Sequence, residues 1–268
     1  MIARKSTLLI MATVLAFEYG LHAADAPHAA ANRAFDLYVQ QAEASMGYSP
    51  QGTLDPKPLR IDSLPEAERT RDYAALDRGE ILITSIPGNH DVPGGLIHHW
   101  SATALFAGAS LEQTIAVLQD YDHYAQIYAP AVQQSRLLSR SGDQFQVFLR
   151  LRQKKMLTVN YDTEYSVHYF RLSANEAAKR SISTKIRELD DSGAEKSPAQ
   201  DSGYLWRLNT YWRLRQTPKG TLAQCESISL SRNIPTGLGW LVGPFVQKIP
   251  RDSLRFTLDA TRNALNKK

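Results

Sequence analysis

Apolar positions from Asn32 to Met46, namely Phe35, Leu37, Tyr38, Val39 and Ala42, are spaced for one face of a helix, which Gly47 ends. The next stretch, Tyr48 to Asp77, carries Pro50, Pro56, Pro58 and Pro65 among many charges. That composition predicts an extended connector with a short helix around Glu66 to Ala75. Gly79 to Ile86 is a short β-type run closed by Pro87-Gly88.

After Pro93-Gly94-Gly95 the period becomes two. Leu96, His98, Trp100, Ala102, Ala104 and Phe106 fall on one face of a strand. Ser110 is a good N-cap for a helix over Leu111 to Gln119, with Gln113 in the capping-box position. Asp122 begins a second short helix and Pro130 ends it. Strands follow over Val132–Arg140 and Gln144–Arg152, with Ser141-Gly142-Asp143 as the turn between them. The longest alternation runs from Leu157 to Phe170. Tyr161, Thr163, Tyr165, Val167 and Tyr169 share one face, while Asn160, Asp162, Glu164 and His168 share the other. Such a ribbon has one buried side and one wet side.

Ser173 to Lys179 predicts a turn of helix, Ser181 to Leu189 a strand, and Asp190 to Gly203 a polar loop. Tyr204 to Gln216 predicts a strand with Tyr204, Trp206, Leu208 and Trp212 on one face. Its other face carries Arg207, Asn209, Tyr211, Arg213 and Arg215, exposed on this reading. Thr217-Pro218-Lys219-Gly220 turns the chain into a last strand over Thr221–Ser231, and a helical segment, with Pro250 as a candidate break, then runs to the C-terminus.

Strand, two short helices, a meander of strands and a long final helix make the helix-grip order. The stretch Thr114-Ile115-Ala116-Val117-Leu118-Gln119-Asp120-Tyr121-Asp122-His123-Tyr124, with Pro130 following, resembles the START-like superfamily, nearest to its polyketide-cyclase and coenzyme Q-binding type. Asn233-Ile234-Pro235 leading into Trp240-Leu241-Val242 resembles the same group. The resemblance covers about residues 96–266. It implies an α+β fold in which a curved antiparallel sheet wraps around the C-terminal helix. It also implies a cavity between sheet and helix for a lipid, quinone or polyketide-like molecule; a minority of that superfamily are cyclases, aromatases or hydrolases. Fold by itself does not choose among these.

The N-terminus changes the picture of where the protein works. Arg4 and Lys5 precede an uncharged run from Ser6 to Phe17; Glu18 follows, then small residues at Ala23, Ala24 and Ala26. That order predicts a secretory leader over 1–26, cut after Ala23 or Ala26, and a periplasmic or secreted mature protein. The run is shorter than the roughly 20 residues a spanning helix needs. Residues 27–95 then form an extension, and 96–268 the helix-grip domain. The net charge of +4 comes from basic residues spread among acidic ones. This is not a nucleic-acid footprint, but it is compatible with an anionic membrane surface. Cys225 is the only cysteine, so no internal disulfide forms.

Alternation and the resemblance together nominate cavity-lining residues: His98, Trp100, Tyr161, Tyr165, Tyr169, Trp206, Trp212 and Glu226, with Phe245 and Ile249 from the final helix. The alternative for the aromatic stripe is a solid core. Glu226 shares a face with Leu222, Gln224, Ile228 and Leu230, so it needs a partner, and Arg213 and Arg215 are near in sequence. His90, Asp91, His98 and His99 lack metal-site spacing, because adjacent strand residues point to opposite faces. No phosphate loop, nucleophile elbow or cofactor motif occurs. The leading expectation is a carrier of a hydrophobic small molecule. An enzyme using Glu226, His98 and Tyr165 is the alternative. A third is an interaction module whose extension docks a partner or covers the sheet, and whose arginine face meets a membrane.

Overall fold

The computed structural model describes residues 28–88, 90–154, 158–233 and 239–267, apart from the side chains of 239–248. The leader predicted over 1–26 lies outside the described residues. Helix α1 spans residues 28–46. A 3-10 turn at Arg60–Ser63 and helix α2 (Glu66–Asp77) follow. The strands are β1 (Leu82–Ser85), β2 (Asp91–Val92), β3 (Gly95–Ala107), β4 (Val132–Ser141), β5 (Gln144–Lys154), β6 (Thr158–Arg171), β7 (Glu176–Leu189), β8 (Arg207–Thr217) and β9 (Gly220–Arg232). Between β3 and β4 lie α3 (Leu111–Gln119) and α4 (Tyr124–Ile127), and α5 (Gly239–Leu265) closes the chain.

These strands form a single antiparallel sheet in the order β1-β3-β9-β8-β7-β6-β5-β4, with β2 beside β3. α5 crosses one face of it, the helix-grip arrangement. Leu254 and Leu258 of α5 are buried there against Ala102, Ala104 and Phe106 of β3, Leu118 of α3 and Tyr121. The Thr261 hydroxyl meets that of Tyr128 at 3.0 Å. Ser110 caps α3 through the expected reciprocal pair with Gln113, which satisfies two amide groups the helix end would otherwise leave bare.

Ala102, Ala104 and Phe106 of β3 and Ala223 and Cys225 of β9 pack in one cluster with residues of α3, α4 and α5, and the extension covers the other face. Phe35 and Val39 of α1 pack on Ile97, Ile228 and Leu230, and Leu59, Ile61 and Leu76 pack on Leu105 and Leu222. Gly47 ends α1 with φ +94°, and a Cβ there would lie 1.7 Å from the Asp55 carbonyl oxygen, so the turn into the connector requires glycine. Leu37 departs from the expected helical face: it is 62% exposed, because the stripe that meets the sheet is the i, i+4 line through Ala31, Phe35 and Val39.

Two further expectations are overturned. Ser173–Lys179 is not helical, since from Glu176 onward it is the start of β7. Glu176-Ala-Ala-Lys has helix-forming composition, but pairing with β6 and β8 on both sides supplies the backbone hydrogen bonds and overrides it. The arginine face of β8 is not exposed either. Arg207 pairs with Asp36 and Arg215 with Asp62, both acids of the extension, and Arg213 donates to the Lys57 carbonyl and faces Glu176. That face is therefore not an open cationic surface for a membrane. Among the described residues no helix is long and apolar enough to cross a bilayer.

Phe35→Ala should lower the unfolding free energy by about 3–5 kcal/mol in urea, the cost of a cavity under a fully buried ring. A loss below about 1 kcal/mol would show that α1 is a detachable appendage rather than the second layer of the fold.

Candidate functional site

Alternation along β3, β9, β8, β7 and β6 aims a common set of side chains at the face under α5. In lateral register they form rows. One runs Tyr169, Lys179, Trp212, Cys225, Ala102; the next runs Val167, Ser181, Thr210, Ser227, Trp100; the third continues with Leu208, Ser229 and His98. The end nearest α3 is filled by Phe106, Leu111, Leu118, Tyr124, Phe145 and Leu214. Toward the other end, where the Asp190–Gly203 loop lies, Trp100, Leu149, Leu151 and Leu208 stay only half-buried although they face the helix side. Aromatic, aliphatic and hydroxyl side chains thus line the sheet side of the strip under α5, here called the groove, whose far end is less closely packed than the end nearest α3.

Of the residues nominated from sequence, His98, Trp100, Tyr161, Tyr165, Tyr169 and Trp212 belong to this face. His98 is buried, with Nε2 3.0 Å from the Ser231 hydroxyl, and burial pushes its pKa down to about 4, so it is neutral. Burial pushes the Tyr165 phenol up to about 12, which makes it a poor acid. Tyr161 is buried beside Glu188, which Lys196 and Ser202 of the polar loop hold in place, and its own hydroxyl has no partner. Ile249 is half-buried in α5, and the side chain of Phe245 lies outside the described residues.

Trp206 and Glu226 are not on this face. Trp206 precedes the first paired residue of β8, so strand parity does not govern it. Its indole packs with the α1 cluster, edge-on to His28 at 3.9 Å, and donates to Asp201. Glu226 projects from the opposite side of β9, as its shared face with Leu222 and Ile228 requires. Its partner is not Arg213 or Arg215. Arg60 of the extension bonds both carboxylate oxygens at 3.0 and 3.3 Å, His99 Nε2 lies 3.1 Å away, and Gln224 donates at 2.9 Å. Burial alone would raise the Glu226 pKa, but the hydrogen bonds from His99 and Arg60 hold it below the ordinary value. His99 Nδ1 meets the Tyr38 hydroxyl at 3.0 Å, and His90 Nε2 meets the same hydroxyl at 3.3 Å. This network pins α1 and the connector to the sheet. A cleft of about 490 Å³ remains beside it, bordered by Arg60, Glu226, Tyr211 and Arg213. The trio Glu226, His98 and Tyr165 is therefore split between two faces and cannot act on one substrate.

The feature missed from sequence is Lys179. It is 6% exposed in the middle of the groove-facing side of β7, with its ammonium 5.5 Å from the centre of the Tyr121 ring and 5.9 Å from those of Tyr124 and Tyr169. No carboxylate of the described residues pairs with it. Burial pushes its pKa down to about 8, and the nearby Cys225 thiol opposes that shift. Cys225 is itself buried, its thiol pushed well up by burial, so it is no nucleophile. The signal for Lys179 was the spacing Ala177, Lys179, Ser181, Ser183, small and polar residues two apart, hidden by the helical composition. Among the described residues no cluster of His, Cys, Asp or Glu could hold a metal ion.

An ammonium held among rings without an anion should cost stability. Its pKa of about 8 when folded lies below the 10.5 of the free side chain, so the folded state binds this proton less tightly. The penalty is complete below pH 8 and is relieved between pH 8 and 10.5, where the unfolded chain still holds the proton. Lys179→Met should therefore raise the unfolding free energy by about 1–3 kcal/mol at pH 7. That gain should shrink toward pH 10. A variant less stable than the parent at both pH values would mean that the ammonium is satisfied.

No family model and no curated protein matches this chain. Among the solved structures similar to it are distant ones. A STAR-related lipid transfer protein from Xanthomonas axonopodis is 17% identical, over 69% of this chain and 98% of that one, with a TM-score of 0.45. A START superfamily protein from Mycobacterium smegmatis is 14% identical over 64% and 97%, with a TM-score of 0.41. The Zhui aromatase/cyclase of a Streptomyces species is 14% identical over 64% and 94%, with a TM-score of 0.40. Two of these neighbours bear STAR or START names, and the three include both a lipid transfer protein and an aromatase/cyclase.

Proposed function

We propose that this protein binds and carries a hydrophobic small molecule in the groove between its sheet and α5. The observation that carries this reading is the half-buried state of Trp100, Leu149, Leu151 and Leu208 on the face that the helix covers. Apolar side chains enclosed by a fold yet left without full packing lose dispersion contacts and keep contact with water. An apolar occupant restores the first and ends the second. The buried hydroxyls on the same face offer the few polar contacts such a site uses to orient its ligand. An enzymatic reading has no comparable support, since its candidate residues stand on opposite sides of the sheet.

The test is titration with Nile red, a neutral apolar dye, followed by displacement with oleyl alcohol. A saturable fluorescence rise, reversed by the alcohol, is expected. Ser229→Phe, which adds a ring on the groove face, should weaken dye binding by about tenfold or more with the fold retained by circular dichroism. If the dye binds no better than to the urea-unfolded chain, the carrier reading fails.

We further infer export, which rests on the basic, apolar, small-residue order of the first 26 residues. Mass spectrometry of the protein from cells that make it should find a mature N-terminus at Ala24 or Pro27. Finding Met1 retained would overturn this inference.

A further inference from the structure

Buried charges of the sheet are paired, Glu188 on the groove face with Lys196 among them, and Lys179 is the exception. On the face covered by the extension each buried ion has a counter-ion: Glu226 has Arg60, Arg180 has Glu43, and Arg215 has Asp62. On the groove face Lys179 has none. Cation–π contact with three rings returns only part of what water gave the ammonium, and no described residue accepts a hydrogen bond from it. The tyrosine hydroxyls are turned elsewhere: Tyr121 and Tyr169 bond each other at 2.9 Å, and Tyr124 and Tyr169 both donate to the Leu118 carbonyl at 2.6 Å. A buried charge without a partner is expensive, and its retention calls for an acceptor that arrives from outside.

A second feature stands beside it. Ser181, Thr210 and Ser227 lie in lateral register on β7, β8 and β9, one row further along the groove than Lys179. Ser181 and Ser227 are buried, Thr210 is half-buried, and none of the three hydroxyls has a hydrogen-bond partner among the described residues. Ser183, on the same face one row on, is by contrast used by the Leu208 amide. A cation flanked by a row of unused donors is the arrangement that receives a carboxylate, with one oxygen toward the ammonium and the other toward hydroxyls.

We propose that Lys179, with Ser181, Thr210 and Ser227, is the headgroup site of the groove, and that the ligand is a long-chain amphiphile with a single carboxylate lying head-inward. This rests on the carrier reading and narrows it. One charge rather than two is favoured because, among the described residues of β6 to β9 and β3, Lys179 is the only cation in these three rows, and Arg140, where the second row reaches β4, lies over the Phe145 ring. The apolar body then lies along Trp100, Leu149, Leu151 and Leu208. The head replaces the missing anion, and the body covers the half-buried side chains.

The experiment compares oleate with oleyl alcohol as competitors of Nile red on the parent chain, Lys179→Met and Ser227→Ala. Oleate should bind the parent tighter than the alcohol by about tenfold or more, the weight of a charge-assisted hydrogen bond in a buried site. Lys179→Met should remove that preference and leave oleyl alcohol within about threefold of the parent. Ser227→Ala should reduce oleate binding alone, by about two- to fivefold. Equal binding of the two competitors to the parent, or equal weakening of both by Lys179→Met, overturns the headgroup site while the carrier reading stands. Failure of both competitors to displace the dye from the parent overturns the two together.

Discussion

Burial of the arginine-rich side of the sheet is the constraint from which the rest of this architecture follows. β7, β8 and β9 present Arg180, Arg207, Arg213, Arg215 and Glu226 on one side. A bare sheet face of that composition would be solvated, and packing it against apolar residues alone would strand the charges. The segment ahead of β3 resolves this by bringing charges of its own together with an apolar stripe. Glu43 meets Arg180 and Tyr211, Asp36 meets Arg207, Asp62 meets Arg215, and Arg60 meets Glu226, while Phe35, Val39, Leu59 and Ile61 fill the space between them. The extension is thereby a structural layer whose removal would leave several charges unpaired and two apolar clusters open.

With that side sealed, function is left to the other. There a set of polar groups in register lacks partners among the described residues: Lys179 is without an anion, and Ser181, Thr210 and Ser227 are without hydrogen bonds. A buried ammonium without a counter-ion weakens a folded chain, so its place under α5 marks that side as one where something else is accommodated. The tightly packed end around Phe106, Leu118 and Leu258 gives the groove a floor. The sequence of packing from floor to half-buried rim is what makes one end of the space open to an occupant.

Glu226 and Lys179 show how easily the two sides are confused in a linear reading. Both are buried ionisable residues, on β9 and β7, with β8 between them. Glu226 was legible as unusual because a carboxylate amid Leu222, Ile228 and Leu230 breaks an apolar run, yet its partners, Arg60 and His99, are 166 and 127 residues away in the chain and carry no local signal. Lys179 was illegible because an alanine-flanked lysine fits a helix surface as well as it fits a strand. Trp206 failed for a third reason: alternation holds only while the backbone is extended, and the chain at that point has not yet joined β8.

Taken alone, the sequence determined the period of each segment: strands over β3 to β6 and β9, the capped helix α3, the final helix, and hence a helix-grip order with an aromatic concave side. These are local properties, set by alternation, turn residues and caps within a few positions of one another. What only the tertiary structure decided is what covers the far side of the sheet, and with it which buried charges are paired. Pairing across more than a hundred residues depends on how α1 and the connector lie against β7 to β9, and no short-range pattern encodes that placement. The same packing decided that Lys179 belongs to a strand and faces the groove, because hydrogen bonding to two neighbouring strands outweighs the helical preference of four residues.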